Sequence, residues 1–321
     1  MNDTTNNDAV QAAPAPRSND KMGARFIAAG LLTEEQVARV VELQNSAGIR
    51  FGEAAVRLNY LTEQNVQMVL SEQFNYATAL LPRDNLDKSL AIAHAPFGME
   101  AEAIRQIRAE LSIRLAGPDG QEKIAFALLS PNEKEGKSYL AASLALAFSQ
   151  MGKRTLLIDA NLRAPRQHEL FGLDNKDGLS TVLAGRSQLS HGQNAPGFPH
   201  LRVLCAGPTP PNPLEILLQP ALANLIGKLA ADVDVIIVDT PAATASSDAQ
   251  TIVQQVGACL LVGRQHFTKL EQLRQAETQI GTAGAQLIGT VYNQFADETM
   301  PANGNKYWHL LKKWLSGPRQ S

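Results

Sequence analysis

The sequence is poor in cysteine, in net charge and in long apolar runs, and each shortage argues against a class of protein. Its two cysteines, Cys205 and Cys259, lie in apolar strand-like runs, so we expect buried thiols and neither a disulfide framework nor a metal-binding spacing. The net charge of −2 argues against a nucleic-acid-binding surface. No run approaches the roughly 18 apolar residues that span a bilayer, and the N-terminus lacks a signal-like apolar core. We therefore expect a cytoplasmic protein with no direct membrane insertion.

Hydrophobic residues make up 44% of the 321-residue chain and charged residues 19%, which predicts packed cores rather than global disorder. Residues 1–20 are rich in Asn, Asp, Ala, Pro and Ser, and we expect them to form a disordered leader. We divide the rest into a tandem helical repeat domain (21–80), a connector with a charged helix (81–120), an α/β domain (121–295) and a polar tail (296–321).

The tandem helical domain is predicted from an internal repeat. Lys21–Phe26 aligns with Arg50–Ala55, and Leu31–Val37 aligns with Tyr60–Val66. Two copies of a helical hairpin that pack on each other would make a small all-α domain.

Each copy of the repeat predicts a short helix, a turn, a threonine cap and a second amphipathic helix. The turns fall at Gly30 and Asn59, and the caps pair Thr33 with Gln36 and, one residue short, Thr62 with Gln64.

This repeat resembles the N-terminal domain of type II secretion and pilus ATPases, some of which bind cyclic di-GMP. The resemblance implies that cyclic di-GMP would bind through the residues Lys21, Gly23, Gly30, Gln44, Arg50, Gly52 and Gln73. In the alternative interpretation, the same residues only pack a helical repeat and dock a partner. The sequence leaves both interpretations open.

The α/β domain is predicted from apolar runs that alternate with helical stretches. The expected strands are 124–129, 154–159, 201–205, 233–239, 257–262 and 286–293. Strands that are apolar throughout are typical of a parallel sheet that helices cover on both faces. The predicted fold is therefore α/β, a P-loop NTPase-type parallel sheet preceded by the small all-α domain.

A phosphate-binding loop is predicted where the first of these strands ends. The sequence Gly136-Lys137-Ser138 follows the strand and opens a buried helix, so loop amides and the helix N-terminus can hold phosphate. The loop is unusual because Pro131 takes the place of the first glycine, while Glu133 and Glu135 add negative charge.

Two more strand ends carry acids, Asp159 and Asp239. Ligands of open α/β sheets bind beyond the carboxyl ends of the strands, so these acids should join the loop in one site. Lys137 would then stabilise charge on a transferred phosphoryl group, Ser138 and Asp239 would place Mg²⁺, and Asp159 would orient or deprotonate a phenol.

Each of these assignments has a structural alternative. An aspartate at the end of a strand can instead cap the next helix. Arg163 could neutralise phosphate charge or pair with a carboxylate. In the predicted helix 97–115, Glu102, Arg105 and Arg108 share one stripe, which is equally typical of a salt-bridge ladder on a solvated face.

Together these segments resemble the cytoplasmic bacterial tyrosine kinases (BY-kinases) of exopolysaccharide export, in particular the chain-length-determinant tyrosine kinase EpsG branch. The resemblance implies ATP-dependent phosphorylation of tyrosine, in the protein itself or in others. It also implies nucleotide binding by the loop and by an adenine-contacting asparagine, with the residues Glu135, Gly136, Lys137, Ser138, Tyr139 and Asn293. The 130–138 loop corresponds to Walker A, the Asp159 segment to Walker A′ and Asp239 to Walker B.

The resemblance also implies partners. Glu102, Arg105 and Arg108 match the family's oligomerisation motif, so a homo-oligomer is expected. An inner-membrane polysaccharide co-polymerase (a chain-length determinant protein) would recruit the kinase to the membrane, where it would regulate polymerisation, chain length and export.

The chain departs from the family at three places. Glu133-Lys134-Glu135 stands where Pro-Gly-Glu usually precedes Gly-Lys. Asn161 stands where a second Walker A′ acid is usual, and Tyr307 is the single tyrosine of the tail, hence the predicted phosphoacceptor. Two alternatives remain. One is a MinD/ParA-like ATPase, although Asn132 occupies the position of its signature lysine. The other is a module that senses cyclic di-GMP and ATP and acts by assembly, without significant kinase activity.

Overall fold

A computed structural model describes residues 18–62, 65–66, 69, 85–96, 98–115, 124–187 and 191–294. The chain divides between Ala79 and Leu80 into two compact units. No helix in these described ranges is long and apolar enough to cross a membrane.

The first unit contains the two predicted repeat copies. Its helices are α1 (Ser18–Ala28), α2 (Glu34–Ala47) and α3 (Phe51–Arg57). The predicted turns are confirmed, since Gly30 and Asn59 both adopt left-handed backbone with φ of 68° and 55°.

The cap of the first copy is confirmed, and the cap of the second needs a correction. The Gln36 amide N–H donates to the Thr33 hydroxyl, and the Gln36 side chain accepts from the Thr33 N–H at 2.9 Å. In the second copy Asn65, not Gln64, exchanges these bonds with Thr62. The reason is geometric, because the residue that closes a capping box lies three positions after the cap.

The two repeat copies share one apolar core, in which the rings of Phe26 and Phe51 stack with centroids 5.7 Å apart. Gly23 and Gly52 occupy equivalent places against Val37 and Val66. A Cβ at either glycine would lie 2.6 or 2.5 Å from a valine methyl, too close for any side chain. These two glycines therefore allow the helices of each copy to approach closely.

The second unit is built on one sheet. Among its described residues, seven strands are paired: β1 (Ile124–Leu129), β2 (Thr155–Asp159), β3 (Gln193–Asn194), β4 (Leu201–Leu204), β5 (Val235–Asp239), β6 (Ala258–Arg264) and β7 (Gln286–Asn293). The spatial order is β3-β4-β2-β5-β1-β6-β7, and only the β3–β4 pair is antiparallel. The predicted parallel sheet is confirmed. The prediction missed β3, which is too short to give a sequence pattern.

Helices cover both faces of this sheet, as predicted. They are α4 (Ala91–His94), α5 (Met99–Leu115), α6 (Lys137–Ser149), α7 (Gln167–Phe171), α8 (Leu179–Leu183), α9 (Pro213–Leu218), α10 (Ala221–Leu229), α11 (Asp248–Val256) and α12 (Leu270–Thr282). Alternate residues of β1 lie in separate apolar clusters on the two faces of the sheet. Phe126 and Leu128 pack with α5 and α6. Ala127 and Leu129 pack with α10, α11 and α12.

The described part of the predicted connector packs into this unit. Leu86, Leu90 and Ile92 are buried in the same cluster as Phe126, and α5 contributes Ile104 and Leu111. Residues 85–96 and 98–115 therefore contribute to the core of the sheet. Helix α4 was not predicted.

Candidate nucleotide-binding site

The strand register brings the three predicted strand ends to one edge of the sheet. β5 lies between β1 and β2, and Asp159 is paired directly with Asp239 across the β2–β5 ladder. Leu128 of β1 pairs with Asp239 from the other side, so the loop that follows β1 begins next to both acids.

The loop Ser130–Gly136 is closed by two residues with left-handed backbone. Gly136, with φ of 87°, precedes α6, and Lys134 has φ of 61°. Within the described chain no side chain caps the N-terminus of α6, whose amides therefore face the loop. A helix N-terminus with uncapped amides is a ready anion site.

Glu135 supports the loop with its side chain. Its carboxylate accepts from the Asn132 N–H at 2.8 Å, from the Asn132 Nδ2 at 3.0 Å and from the Thr268 hydroxyl. The carboxylate is buried. Glu135 was predicted to add negative charge to the phosphate site, whereas the structure directs its carboxylate at Asn132 of the loop and at Thr268 in the segment after β6.

Asn132 and Asn293 lie in the same network. Asn132 exchanges two hydrogen bonds with Gln272 of α12, at 3.0 and 3.2 Å. Asn293, at the end of β7, donates to the Glu135 carbonyl at 3.1 Å. The predicted adenine-contacting residue is thus next to the phosphate loop.

Lys137 and Asp239 form a buried ion pair. The Lys137 Nζ lies 3.3 Å from Asp239 Oδ1, and the two side chains are 8% and 0% exposed. The other carboxylate oxygen of Asp239 accepts from Gln167 Nε2 at 2.8 Å. Gln167 was missed, because a glutamine in the polar run that follows Asp159 gives no sequence signal of burial.

Asp159 is completely buried and caps α7. Oδ2 accepts from the backbone N–H groups of Arg166 and Gln167 at 3.0 and 2.9 Å, and Oδ1 accepts from that of Asn161 at 3.2 Å. Burial, and then the neighbouring charge of Asp239, raise the pKa of Asp159 to about 7. These contacts match the capping alternative, and the raised pKa is also that of a group able to accept a proton near neutrality.

Two neighbours of Asp159 have structural contacts. Arg163 makes a two-pronged ion pair with the buried carboxylate of Asp248, at 2.6 and 3.2 Å, which confirms the structural interpretation of this arginine. The Asn161 amide donates to the Ala164 carbonyl and accepts from its N–H. The asparagine thereby shapes the loop, which a carboxylate could do only in part because it cannot donate.

Tyr139 directs its hydroxyl at α5. The hydroxyl donates to Glu100 Oε1 at 2.8 Å, and burial followed by this contact raises the pKa of the phenol to about 12. Its predicted contact with nucleotide would therefore have to come from its backbone amide.

The predicted ladder on α5 is only partly right. Glu102 and Arg105 are 3.1 Å apart, but Arg105 also donates to the Pro96 carbonyl, and its side chain is only 14% exposed. Arg108 donates to the Ala147 carbonyl of α6 at 3.1 Å. The solvated-ladder interpretation is wrong for these arginines, because they anchor α5 to its own unit.

The cyclic di-GMP positions have mixed outcomes. Gly23 and Gly52 serve helix packing, Gly30 serves a turn, and Arg50 is exposed at the start of α3. Gln44 is half-buried, and its Oε1 has no hydrogen-bond partner in the part of the chain that is described. The side chains of Lys21 and Gln73, and Tyr307, lie outside the described residues.

The donor set suits Mg²⁺ bound together with phosphates. Ser138 and Asp239 offer hard oxygen ligands beside an anion site, and Mg²⁺ characteristically takes one or two carboxylates plus substrate phosphates. Among the described residues no cluster of three or more His, Cys, Asp or Glu could hold a metal by itself.

No protein-family model matches the chain, but individual proteins do. It is 37% identical over 198 residues to a tyrosine-protein kinase of Bacillus subtilis and 30% identical over 220 residues to a putative tyrosine-protein kinase, CapB, of Staphylococcus aureus. These alignments cover 62% and 68% of this chain and 82% and 93% of the relatives.

A solved structure agrees with these relatives. The kinase domain of the Escherichia coli tyrosine kinase ETK superposes with a TM-score of 0.61 and 28% identity, covering 68% of this chain and 84% of that domain. The chain belongs to the family of bacterial tyrosine-protein kinases.

Proposed function

We propose that the chain is a protein-tyrosine kinase that uses ATP and Mg²⁺ and phosphorylates itself or other proteins. The buried cluster of Lys137, Asp239 and Asp159 beside an uncapped helix N-terminus carries this proposal. The MinD/ParA alternative has less support, because Asn132 is bound to Gln272 and Glu135 and the matched relatives are tyrosine kinases.

The residues divide the work of phosphoryl transfer. Lys137 and the loop amides neutralise charge on the transferred phosphoryl group, so Lys137 exchanges Asp239 for phosphate oxygens. Ser138 and Asp239 would hold Mg²⁺, which would offset the negative charge of the phosphates. Glu135, Asn132 and Thr268 keep the loop in shape.

Asp159 is the proposed partner of the acceptor phenol. As the phenol oxygen bonds to the γ-phosphorus, the bond from that phosphorus to the β,γ-bridging oxygen breaks and ADP leaves. The phenol proton passes to Asp159. From the described residues its Oδ1 accepts one backbone hydrogen bond, so a lone pair remains for the phenol.

Labelled ATP with Mg²⁺ tests the activity. We expect label on tyrosine in the wild type, loss of label in Lys137→Met and reduced label in Tyr307→Phe. Lys228→Met, which removes an exposed lysine of α10, is the matched control and should keep the label. Undiminished labelling of Lys137→Met would refute the site, and loss in that variant alone would move the acceptor away from Tyr307.

The cellular role follows the EpsG resemblance. The kinase would be recruited to the inner membrane by a polysaccharide co-polymerase and would regulate exopolysaccharide polymerisation, chain length and export. Glu102, Arg105 and Arg108 of α5 would contribute to a homo-oligomer. Co-purification with the co-polymerase tests the partnership, and light scattering of Arg108→Ala against wild type tests assembly. A monomeric wild type at high concentration would contradict the oligomer.

Cyclic di-GMP binding by the first unit is a second proposal, favoured by the Gln44 Oε1, for which the described part of the chain supplies no hydrogen-bond partner. Equilibrium binding to the full chain should weaken in Gln44→Leu and Arg50→Ala. It should persist in Arg57→Ala, whose guanidinium is instead paired with Glu53 at 3.0 Å. If cyclic di-GMP does not bind the wild type, this proposal is wrong, and the proposed kinase site is not affected.

A further inference from the structure

Gln167 is the first residue of α7 and contacts both strand-end acids and the helix that follows the phosphate loop. Its backbone N–H donates to Asp159 Oδ2 at 2.9 Å, and its Nε2 donates to the Ser138 carbonyl at 3.0 Å and to Asp239 Oδ2 at 2.8 Å. The side chain is completely buried. One residue thus connects the phosphate loop helix with both strand-end acids.

The orientation of the Gln167 amide is determined by its neighbours. Both groups that face Nε2, a carbonyl and a carboxylate, can only accept, so the NH₂ end must point at them. Oε1 is left buried and has no hydrogen-bond partner among the described residues. A buried carbonyl without a donor lowers the free energy of unfolding.

The two oxygens of Asp239 are held by different groups. Oδ1 faces the Lys137 ammonium, and Oδ2 is held by Gln167. When Lys137 turns to phosphate, the Gln167 bond keeps the carboxylate from rotating with it. Oδ1 then remains directed at the place that the ammonium leaves.

We propose that Gln167 is a positioning residue that orients the Asp239 carboxylate toward Mg²⁺. The inference rests on the proposed binding of ATP and Mg²⁺ and does not depend on which tyrosine is phosphorylated. Groups that orient a metal ligand characteristically change metal affinity about 10–100-fold when they are removed.

The chain offers a matched control in Gln150, which follows α6 at its far end. Its side chain is also buried, its Nε2 donates to the Ile92 carbonyl at 3.2 Å, and its Oε1 likewise has no hydrogen-bond partner within the described chain. Gln150 touches no acid of the site. Replacing either glutamine by methionine keeps the length of the side chain and removes the amide.

The test measures ADP binding to the full chain by calorimetry, first in EDTA and then across a Mg²⁺ titration. For Gln167→Met we expect metal-free ADP affinity within about twofold of wild type and a Mg²⁺ midpoint raised about 10–100-fold. For Gln150→Met we expect both quantities unchanged, whatever its loss in melting temperature. Gln167→Leu repeats the test should the methionine variant fold poorly.

Two results would overturn the inference. One is a Mg²⁺ midpoint that moves no further in Gln167→Met and Gln167→Leu than in Gln150→Met. The other is an equal loss of ADP affinity with and without Mg²⁺, which a purely structural role would give. If the ADP affinity of the wild type does not change with Mg²⁺ concentration, the proposed nucleotide–metal site itself is wrong.

Discussion

Replacing Asp159 by asparagine should remove a specific pH dependence of stability. The pKa of Asp159 rises from 3.8 to about 7 on folding, because the carboxyl is buried and faces Asp239. Between these values the folded chain holds a proton that the unfolded chain has lost, so folding stability falls as the pH rises. The contribution is fully present below the unfolded pKa and is lost as the pH rises through the folded pKa.

The expected size follows from this shift. Each pKa unit corresponds to about 1.4 kcal/mol, and the group is already half deprotonated at pH 7, so the wild type should lose about 2.3 kcal/mol between pH 5 and 7 from this group. Urea unfolding in EDTA without nucleotide, at several pH values, gives the stability of wild type and Asp159→Asn. Groups that titrate equally in both proteins cancel when the two free energies of unfolding are subtracted. The difference between wild type and Asp159→Asn should therefore change by this amount from pH 5 to 7.

Asp234→Asn serves as the control. A hydrogen bond from Arg154 lowers the pKa of Asp234, so its contribution is present above its unfolded pKa and is lost as the pH falls through its folded pKa. Its difference from wild type should be flat between pH 5 and 7. Parallel wild-type and Asp159→Asn curves across this window would refute the reasoning that burial beside Asp239 holds a proton on Asp159.

Three further predictions concern the loop and the repeat. Lys134→Gly should raise the free energy of unfolding by up to about 1 kcal/mol in urea, since a left-handed φ costs a non-glycine residue roughly 1–2 kcal/mol and glycine returns part of this as chain entropy; a loss of stability would contradict the assigned backbone. Glu135→Ala should weaken ADP binding in titration calorimetry, because Asn132 loses both of its hydrogen bonds to the carboxylate. Unchanged affinity would show that the loop keeps its conformation without these bonds. Gly52→Ala should cost about 1–3 kcal/mol by overpacking, measured by urea unfolding, whereas Gly227→Ala in open space should cost nothing.

The convergence of Lys137, Asp159 and Asp239 could be predicted because it depends only on periodicity. Apolar runs that alternate with helices require parallel strands, and parallel strands end at one edge of the sheet. No contact between side chains enters that argument. The sequence therefore predicted which strand ends meet without predicting what each side chain bonds.

The contacts of Glu135 and Gln167 could not be predicted for the same reason. Glu135 bonds Thr268, 133 residues away, and Gln167 bonds Asp239, 72 residues away. Polar side chains in irregular segments have no periodicity that distinguishes burial from exposure. Arg108 was misjudged similarly, since its spacing on α5 says nothing about the Ala147 carbonyl that it reaches.

The ion pair between Lys137 and Asp239 has a consequence for the order in which ligands bind. In the proposed site, Mg²⁺ alone would meet an acid that Lys137 already neutralises, and nucleotide alone would draw the lysine away and leave Asp239 buried and uncompensated. Each ligand removes the obstacle to the other, so their binding free energies are coupled, and thermodynamic linkage makes the coupling equal in both directions. A preformed complex of Mg²⁺ and ATP would therefore bind the ion-paired protein more favourably than either ligand alone.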